Sequence, residues 1–216
     1  MRDLVNLSGM VLSASPVGDY DRRLVILTRE RGKITAFARG AKRSSSTLRA
    51  AAAPFVAGTF SLAEGRDSYN LYSAEVDDYH SELAMDPEAV CYASYFSEFA
   101  SYYGREGIEA GAVIDLLEAA FTAIREDRVP NIMVRRVYEL RLMVLNGEYT
   151  ETMPGGEYSD AARYAWYVSA TRPVDNLFSF RLKDEPMREF GHAVDRNIAR
   201  FVDRHFHSLD VLKVMV

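Results

Sequence analysis

The chain has 216 residues, 48% hydrophobic and 26% charged, with a formal net charge of −5. Such proportions suit a folded chain with a substantial core and argue against disorder; no run of about 18 apolar residues marks a membrane span. One cysteine, Cys91, excludes an intramolecular disulfide and a cysteine-built zinc cage, and no signal-peptide pattern opens the chain, so the cytoplasm is the expected compartment.

The net charge hides an asymmetry. Residues 1–49 carry 10 Lys and Arg against 4 Asp and Glu, whereas the other 167 residues carry 16 against 27. A basic front end on an acidic chain predicts a polyanionic partner and says nothing of fold.

Residues 9–14 alternate, with Met10, Leu12 and Ala14 on one side and Val11 and Ser13 on the other, the pattern of a half-buried strand. Residues 16–21 supply turn chemistry, and residues 24–27 form a short apolar run that reads as a second strand. Gly32 can take the positive φ that the following hairpin loop needs. In residues 33–39, Ile34, Ala36 and Ala38 share one face while Lys33, Thr35, Phe37 and Arg39 share the other. An aromatic ring between cations suits single-stranded nucleic acid, the ring for stacking and the cations for phosphates. Phe37 equally suits a barrel interior, and the pattern alone leaves both open.

Residues 40–49 form a polar loop in which Lys42, Arg43 and Arg49 accompany Ser44, Ser45, Ser46 and Thr47, all donors to phosphate oxygens. Two further strands follow at residues 55–63 and 69–76, joined by a turn at residues 64–67. Five short strands in so small a span predict a five-stranded β-barrel of the OB-fold type over residues 1–79.

Beyond Asp78 the period changes from two to 3.6, so residues 80–216 are expected to form an all-α domain and the whole chain a two-part α+β protein. Asp86-Pro87-Glu88 opens a helix that ends at Gly104, with Ala89, Ala93, Phe96, Ala100 and Tyr103 on its inner side. Residues 112–124 and 132–146 give two more, the second with Met133, Val137, Leu140 and Val144 inward. Opposite that stripe, Arg135, Arg136 and Arg141 form either a basic patch for an acidic peptide or DNA, or a solvated face paired with Glu139. Residues 148–186 show no regular pattern beyond a cluster of Tyr158, Tyr164, Trp166 and Tyr167. A last helix from about residue 186 carries Phe190, Val194, Ile198, Phe201 and His205, the last expected to be a partly buried histidine. His80, His192, His205 and His207 have no ligand spacing, so neither metal nor cofactor is expected. Walker loops, nucleophile elbows and carboxylate pairs with a nearby base are missing, which argues against an enzyme.

Several stretches together resemble the bacterial DNA repair protein RecO family: Gly18-Asp19-Tyr20-Asp21, Leu27-Thr28-Arg29-Glu30-Arg31-Gly32-Lys33, Ala38-Arg39-Gly40-Ala41-Lys42-Arg43, Pro54-Phe55, Tyr138-Glu139-Leu140-Arg141-Leu142 and residues 207–212. The resemblance implies an OB-fold followed by helices, without a catalytic centre. It implies binding to single- and double-stranded DNA, annealing of complementary strands, and help for RecA in displacing single-stranded DNA-binding protein. RecR and the C-terminal tail of single-stranded DNA-binding protein are the implied partners, with the nucleoid as place of work during repair. Arg31, Lys33, Arg39, Lys42 and Arg43 fall on the family's basic motif positions; Arg22, Arg23 and Arg49 join them by charge and placement. Many members carry four zinc-binding cysteines after the third helix. This chain has none there, so zinc is not carried over, and aromatic packing is the expected replacement. The same front end would also serve a general RNA-binding OB-fold, and the helical part a protein–protein adaptor.

Overall fold

The computed structural model describes residues 4–215. Five strands come first: β1 (Leu4–Val17), β2 (Asp21–Thr28), β3 (Gly32–Ala38), β4 (Ala57–Glu64) and β5 (Tyr69–Asp78), with a single-turn helix α1 (Leu48–Ala51) between β3 and β4. They close into a barrel in the order β1-β2-β3-β5-β4. All neighbours are antiparallel except β3 and β5, which run parallel and touch only at Ala36 opposite Tyr69 and Phe37 opposite Asn70. This is the expected five-stranded OB-type barrel.

Closure rests on β1. Its first half pairs with β4 (residues 4–10) and its second with β2 (residues 9–17), with an irregularity between Val11 and Ser13. Such a bulge bends a strand enough to serve two neighbours. Where the ladders overlap, a Cβ on Gly9 would lie 2.1 Å from the Leu27 carbonyl oxygen. The half-buried reading of this strand needs correction: Met10, Val11 and Leu12 are all buried, so both faces of β1 are covered there.

The barrel core contains Leu7, Val11, Leu24, Ile26, Ile34, Ala36, Val56, Phe60, Leu62 and Leu71. The alternation read in β3 holds in space. Ile34, Ala36 and Ala38 point inward, and Lys33, Thr35 and Phe37 are half-buried on the outside. Small inner residues let this short strand approach the axis of a narrow barrel.

The helices are α2 (Pro87–Tyr103), α3 (Gly111–Glu126), α4 (Asn131–Leu145), α5 (Asp160–Thr171), α6 (Asp184–Phe201) and α7 (His207–Met215). Two compact units emerge: residues 1–87 with 97–114, and residues 88–96 with 115–216. In the first, the stretch after α2 laces onto the β2–β3 hairpin. Lys33 N–H donates to the Arg105 carbonyl (3.2 Å), Gly107 N–H to Arg31 (2.9 Å) and Ala110 N–H to Arg29 (3.1 Å).

In the second unit, α4 is buried almost all round, with Met133, Val134, Val137, Tyr138, Leu140, Leu142 and Met143 inside. Tyr138 stacks on Phe96 (centroids 4.3 Å apart) and its hydroxyl donates to the Phe96 carbonyl at 2.8 Å. The stretch read as irregular contains α5, capped by Ser159, whose hydroxyl accepts from Ala162 N–H. Only Trp166 of the expected aromatic cluster is buried. It donates through Nε1 to the Thr150 carbonyl (3.0 Å) and meets Phe190 edge-on, while Tyr164 and Tyr167 are exposed. Outward aromatics blurred the helical period of α5. The last helix is likewise two: α6 stops at Phe201, which leaves His205 exposed in the connection rather than partly buried on a stripe.

Candidate nucleic-acid interface

Cross-strand register places the candidate side chains. In an antiparallel pair, directly opposed residues point to the same side of the sheet. Arg23 faces Phe37 and Val25 faces Thr35 on the outside of the barrel, while Leu24 faces Ala36 and Ile26 faces Ile34 inside. Across the parallel edge, Asn70 stands beside Phe37, and its Oδ1 accepts from Arg39 Nε at 3.2 Å. Arg23, Phe37, Asn70 and Arg39 thus share one outer face.

The loop after β3 lies against the β1–β2 turn. Gly40 N–H donates to Asp21 Oδ1 (2.7 Å) and Lys42 N–H to the Tyr20 carbonyl (2.9 Å). Lys42 Nζ reaches the Gly18 carbonyl at 3.4 Å, and the Arg43 guanidinium lies 4.7 Å from the centre of the Tyr20 ring. Lys42, Arg43, Ser44 and Ser45 stay exposed, as does Arg49 on α1. Among the described residues neither Arg23 nor Arg49 makes an ion pair. Their charges face solvent uncompensated by a close carboxylate.

Three expected contacts are occupied inside the protein. Arg22 lies opposite Ala38 at the barrel's end and donates to the Ala52 carbonyl at 2.7 Å. Lys33 Nζ donates to the Ser101 carbonyl at 2.6 Å. Arg31 donates to the Tyr69 hydroxyl (3.0 Å) and pairs with Glu64; these two hydrogen bonds raise its pKa further. Beside them a groove of about 330 Å³ is lined by Arg23, Val25, Lys33, Thr35 and Tyr69, but also by Asp67 and Glu106. The cationic face therefore runs from Arg23 toward the 39–49 loop and away from this groove.

Two aromatics escaped sequence reasoning. Tyr20 is 54% exposed in the β1–β2 turn and Tyr72 is 72% exposed on β5. Tyr72 occupies the position where β5 holds one residue more than β4, between Leu71 opposite Leu62 and Ser73 opposite Ser61. The signal for Tyr20 was its setting between turn residues Gly18 and Asp21.

The helical arginines do not form an exposed patch. Arg135 is buried, donating to Glu139 Oε1 (2.8 Å) with its guanidinium 5.4 Å from the Tyr95 ring centre. Arg136 bonds Glu139 Oε2 (3.0 Å) and grips Asp195 through both terminal nitrogens (2.6 and 3.0 Å). Burial pushes the Glu139 carboxyl up, but Arg136 and Arg135, with hydrogen bonds from Arg135 and Tyr95, hold it below the usual carboxylate range. Arg141 donates to the Ala170 carbonyl, and burial lowers its pKa. The pairing with Glu139 is internal and not that of a solvated face. Edges of Arg135 and Arg136 nonetheless line a cleft of about 310 Å³, with Arg204, Lys213, Tyr95 and Phe206 around it and with Asp195 and Asp210 among its walls. A larger groove of about 980 Å³ carries Asp115, Glu118, Glu126 and Asp175 beside Arg128 and Arg181, which disfavours a polyanion.

Of the four histidines, His80 is buried and bonded to the Phe55 carbonyl (2.9 Å). His205 and His207 meet Asp210 at the start of α7, exposed, with donor atoms within 4.8 Å of one another. No helix of the described residues is long and apolar enough to cross a membrane.

Comparison with known proteins agrees with this layout. Residues 1–79 match the family model for the N terminus of recombination protein O, and residues 84–153 the model for its C terminus. The protein named DNA repair protein RecO in Alkaliphilus metalliredigens is 31% identical over 144 residues, 67% of this chain and 58% of that one. Its namesake in Desulforudis audaxviator is 36% identical, over 64% of this chain and 55% of its own. These matches span little more than half of either relative. The one from Acetivibrio thermocellus is 24% identical with 96% of each chain covered. Barrel, helical part and matched sequence agree: the chain belongs to the RecO family.

Proposed function

We propose that this protein is a DNA-binding mediator of recombinational repair that works without catalysis. It would bind single- and double-stranded DNA, anneal complementary strands and assist the loading of RecA onto DNA coated by single-stranded DNA-binding protein. The observation that carries this reading is the run of exposed cations on one barrel face and its loop, Arg23, Arg39, Lys42, Arg43 and Arg49, beside the half-buried Phe37. Exposed cations gathered there attract phosphates, and the hydroxyls of Ser44 and Ser45 add donors. A surface that neutralises one strand lowers the repulsion toward a second, which is the physical requirement for annealing.

The helical unit supplies partner contacts in this reading. The cleft lined by Arg204 and Lys213, beside the internally paired Arg135 and Arg136 and the carboxylates of Asp195 and Asp210, combines cations with apolar walls from Tyr95, Ile198, Phe206 and Leu209. That chemistry suits an acidic peptide with an apolar end, such as the C-terminal tail of single-stranded DNA-binding protein. RecR is the second partner implied by family membership.

Titration of a labelled oligothymidylate over a salt series tests the DNA reading. If these five exposed cations meet single-stranded phosphates, log affinity falls with log salt at a slope of about −3.5. Salt-independent binding, or unchanged binding by the Lys42→Glu, Arg43→Glu double variant, overturns it. Annealing of strands coated by single-stranded DNA-binding protein tests the mediator role.

A further inference from the structure

We propose that Tyr20, held beneath Arg43, is a base-stacking site that selects single-stranded over duplex DNA. The proposal rests on the reading of the barrel as a DNA-binding surface and assigns that surface its strand selectivity.

Tyr20 is a large aromatic left 54% exposed in a turn between two strands. Isolated exposed aromatics are common, but this one is built in place. Its carbonyl accepts Lys42 N–H at 2.9 Å, and its neighbour Asp21 accepts Gly40 N–H at 2.7 Å. Both turns depend on left-handed glycines, Gly18 at φ 54° and Gly40 at φ 67°. The Arg43 guanidinium sits 4.7 Å from the ring centre, within cation–π range. Among the described residues the Tyr20 hydroxyl makes no hydrogen bond and the ring contacts no other aromatic. A planar cation and a ring, fixed together with flanking charge from Lys42, form a ready layer onto which a third planar group can stack.

A nucleobase is that group. Its π-face stacks on a tyrosine ring or a guanidinium whatever its sequence, and the adjoining phosphate meets Lys42 or Arg43. Only an unpaired base can do this, because duplex bases are already stacked on each other. Phosphate contacts cannot tell the two forms apart. Tyr20 can.

Fluorescence anisotropy on the full chain, with a labelled oligothymidylate and a fully paired two-stranded duplex at one low salt concentration, decides the matter. Tyr20→Ala should weaken single-strand binding about tenfold and change duplex binding less than twofold, with Tyr20→Phe close to wild type. Because the ring is exposed and its anchoring hydrogen bonds are to main chain, circular dichroism of both variants should match wild type. Equal loss on both DNAs, or no loss on the single strand, overturns the proposal while leaving the barrel reading intact. Wild-type protein that binds neither DNA overturns the barrel reading, and this proposal with it.

Discussion

Arg23 and Phe37 stand directly opposite each other on β2 and β3, on the outside of the barrel, while the adjacent pair Leu24 and Ala36 is fully buried inside. The ring thus lies half-buried on the outer face of the barrel and is not part of its core.

That orientation predicts opposite responses from neighbouring positions. Phe37→Ala should cost about 1 kcal/mol of stability, since only part of the ring leaves water, and should weaken binding to single-stranded DNA. Ala36→Leu inserts three carbons at a position with no free space and should cost about 1–3 kcal/mol. Chemical denaturation of the two variants ranks them; a larger loss for Phe37→Ala would place the ring inside.

Cations that look alike in sequence should separate in function. Arg23 is exposed and without an ion pair, so Arg23→Ala should shallow the salt slope of single-strand binding by about 0.7. Lys33 Nζ is tied to the Ser101 carbonyl at 2.6 Å. Lys33→Ala should therefore leave the slope nearly unchanged and lower stability by about 1–2 kcal/mol. Salt titrations paired with thermal melts check both halves.

Gly32 is required by geometry. Its φ is 64°, and a Cβ there would lie 2.1 Å from the Arg105 carbonyl oxygen and 2.3 Å from that of Ile108. Gly32→Ala combines left-handed strain with overlap against two backbone atoms and should cost about 2–4 kcal/mol. A melting temperature equal to wild type would show that the 105–108 segment does not hold the hairpin.

Glu139 ties pH to stability. Its folded-state pKa lies below the ordinary 4.5 because Arg136 and Arg135 outweigh burial. The unfolded chain therefore binds the proton first as pH falls. The contribution of this network is complete above about pH 5 and is lost as pH drops below 4.5 toward the folded pKa. Glu139→Gln leaves two buried guanidiniums short of a charge and should cost about 3–5 kcal/mol near neutral pH. Urea midpoints of wild type and variant, compared at pH 7 and pH 4, should lie closer together at the lower pH without meeting, because the wild type alone loses this contribution as pH falls through 4.5.

Tests of the same kind bear on zinc. With no cysteines after α4, Trp166 and Phe190 pack α5 against α6 through buried rings. Trp166→Ala should cost about 3–5 kcal/mol, and a chelator should leave the wild-type melting curve of the helical part unchanged.

What the chain alone determined was local. The period of two in β3 already put Ile34, Ala36 and Ala38 on one face and Phe37 on the other, because alternate Cβ atoms of an extended backbone point to opposite sides. The 3.6 period likewise marked α2, α3 and α4, and the ordered basic motifs pointed to the family. Three-dimensional closure decided the rest. Whether β1 is covered on one face or two, whether Arg135 faces solvent or Glu139, and which of nine candidate contacts remain free depend on chain segments far apart in sequence. Lys33 finds Ser101 only once the 101–110 stretch lies on the hairpin. Arg43 finds Tyr20, 23 residues earlier, only once the barrel brings its turn and loop together. Periodicity reports the geometry of one segment; burial and partnership are properties of the packed whole.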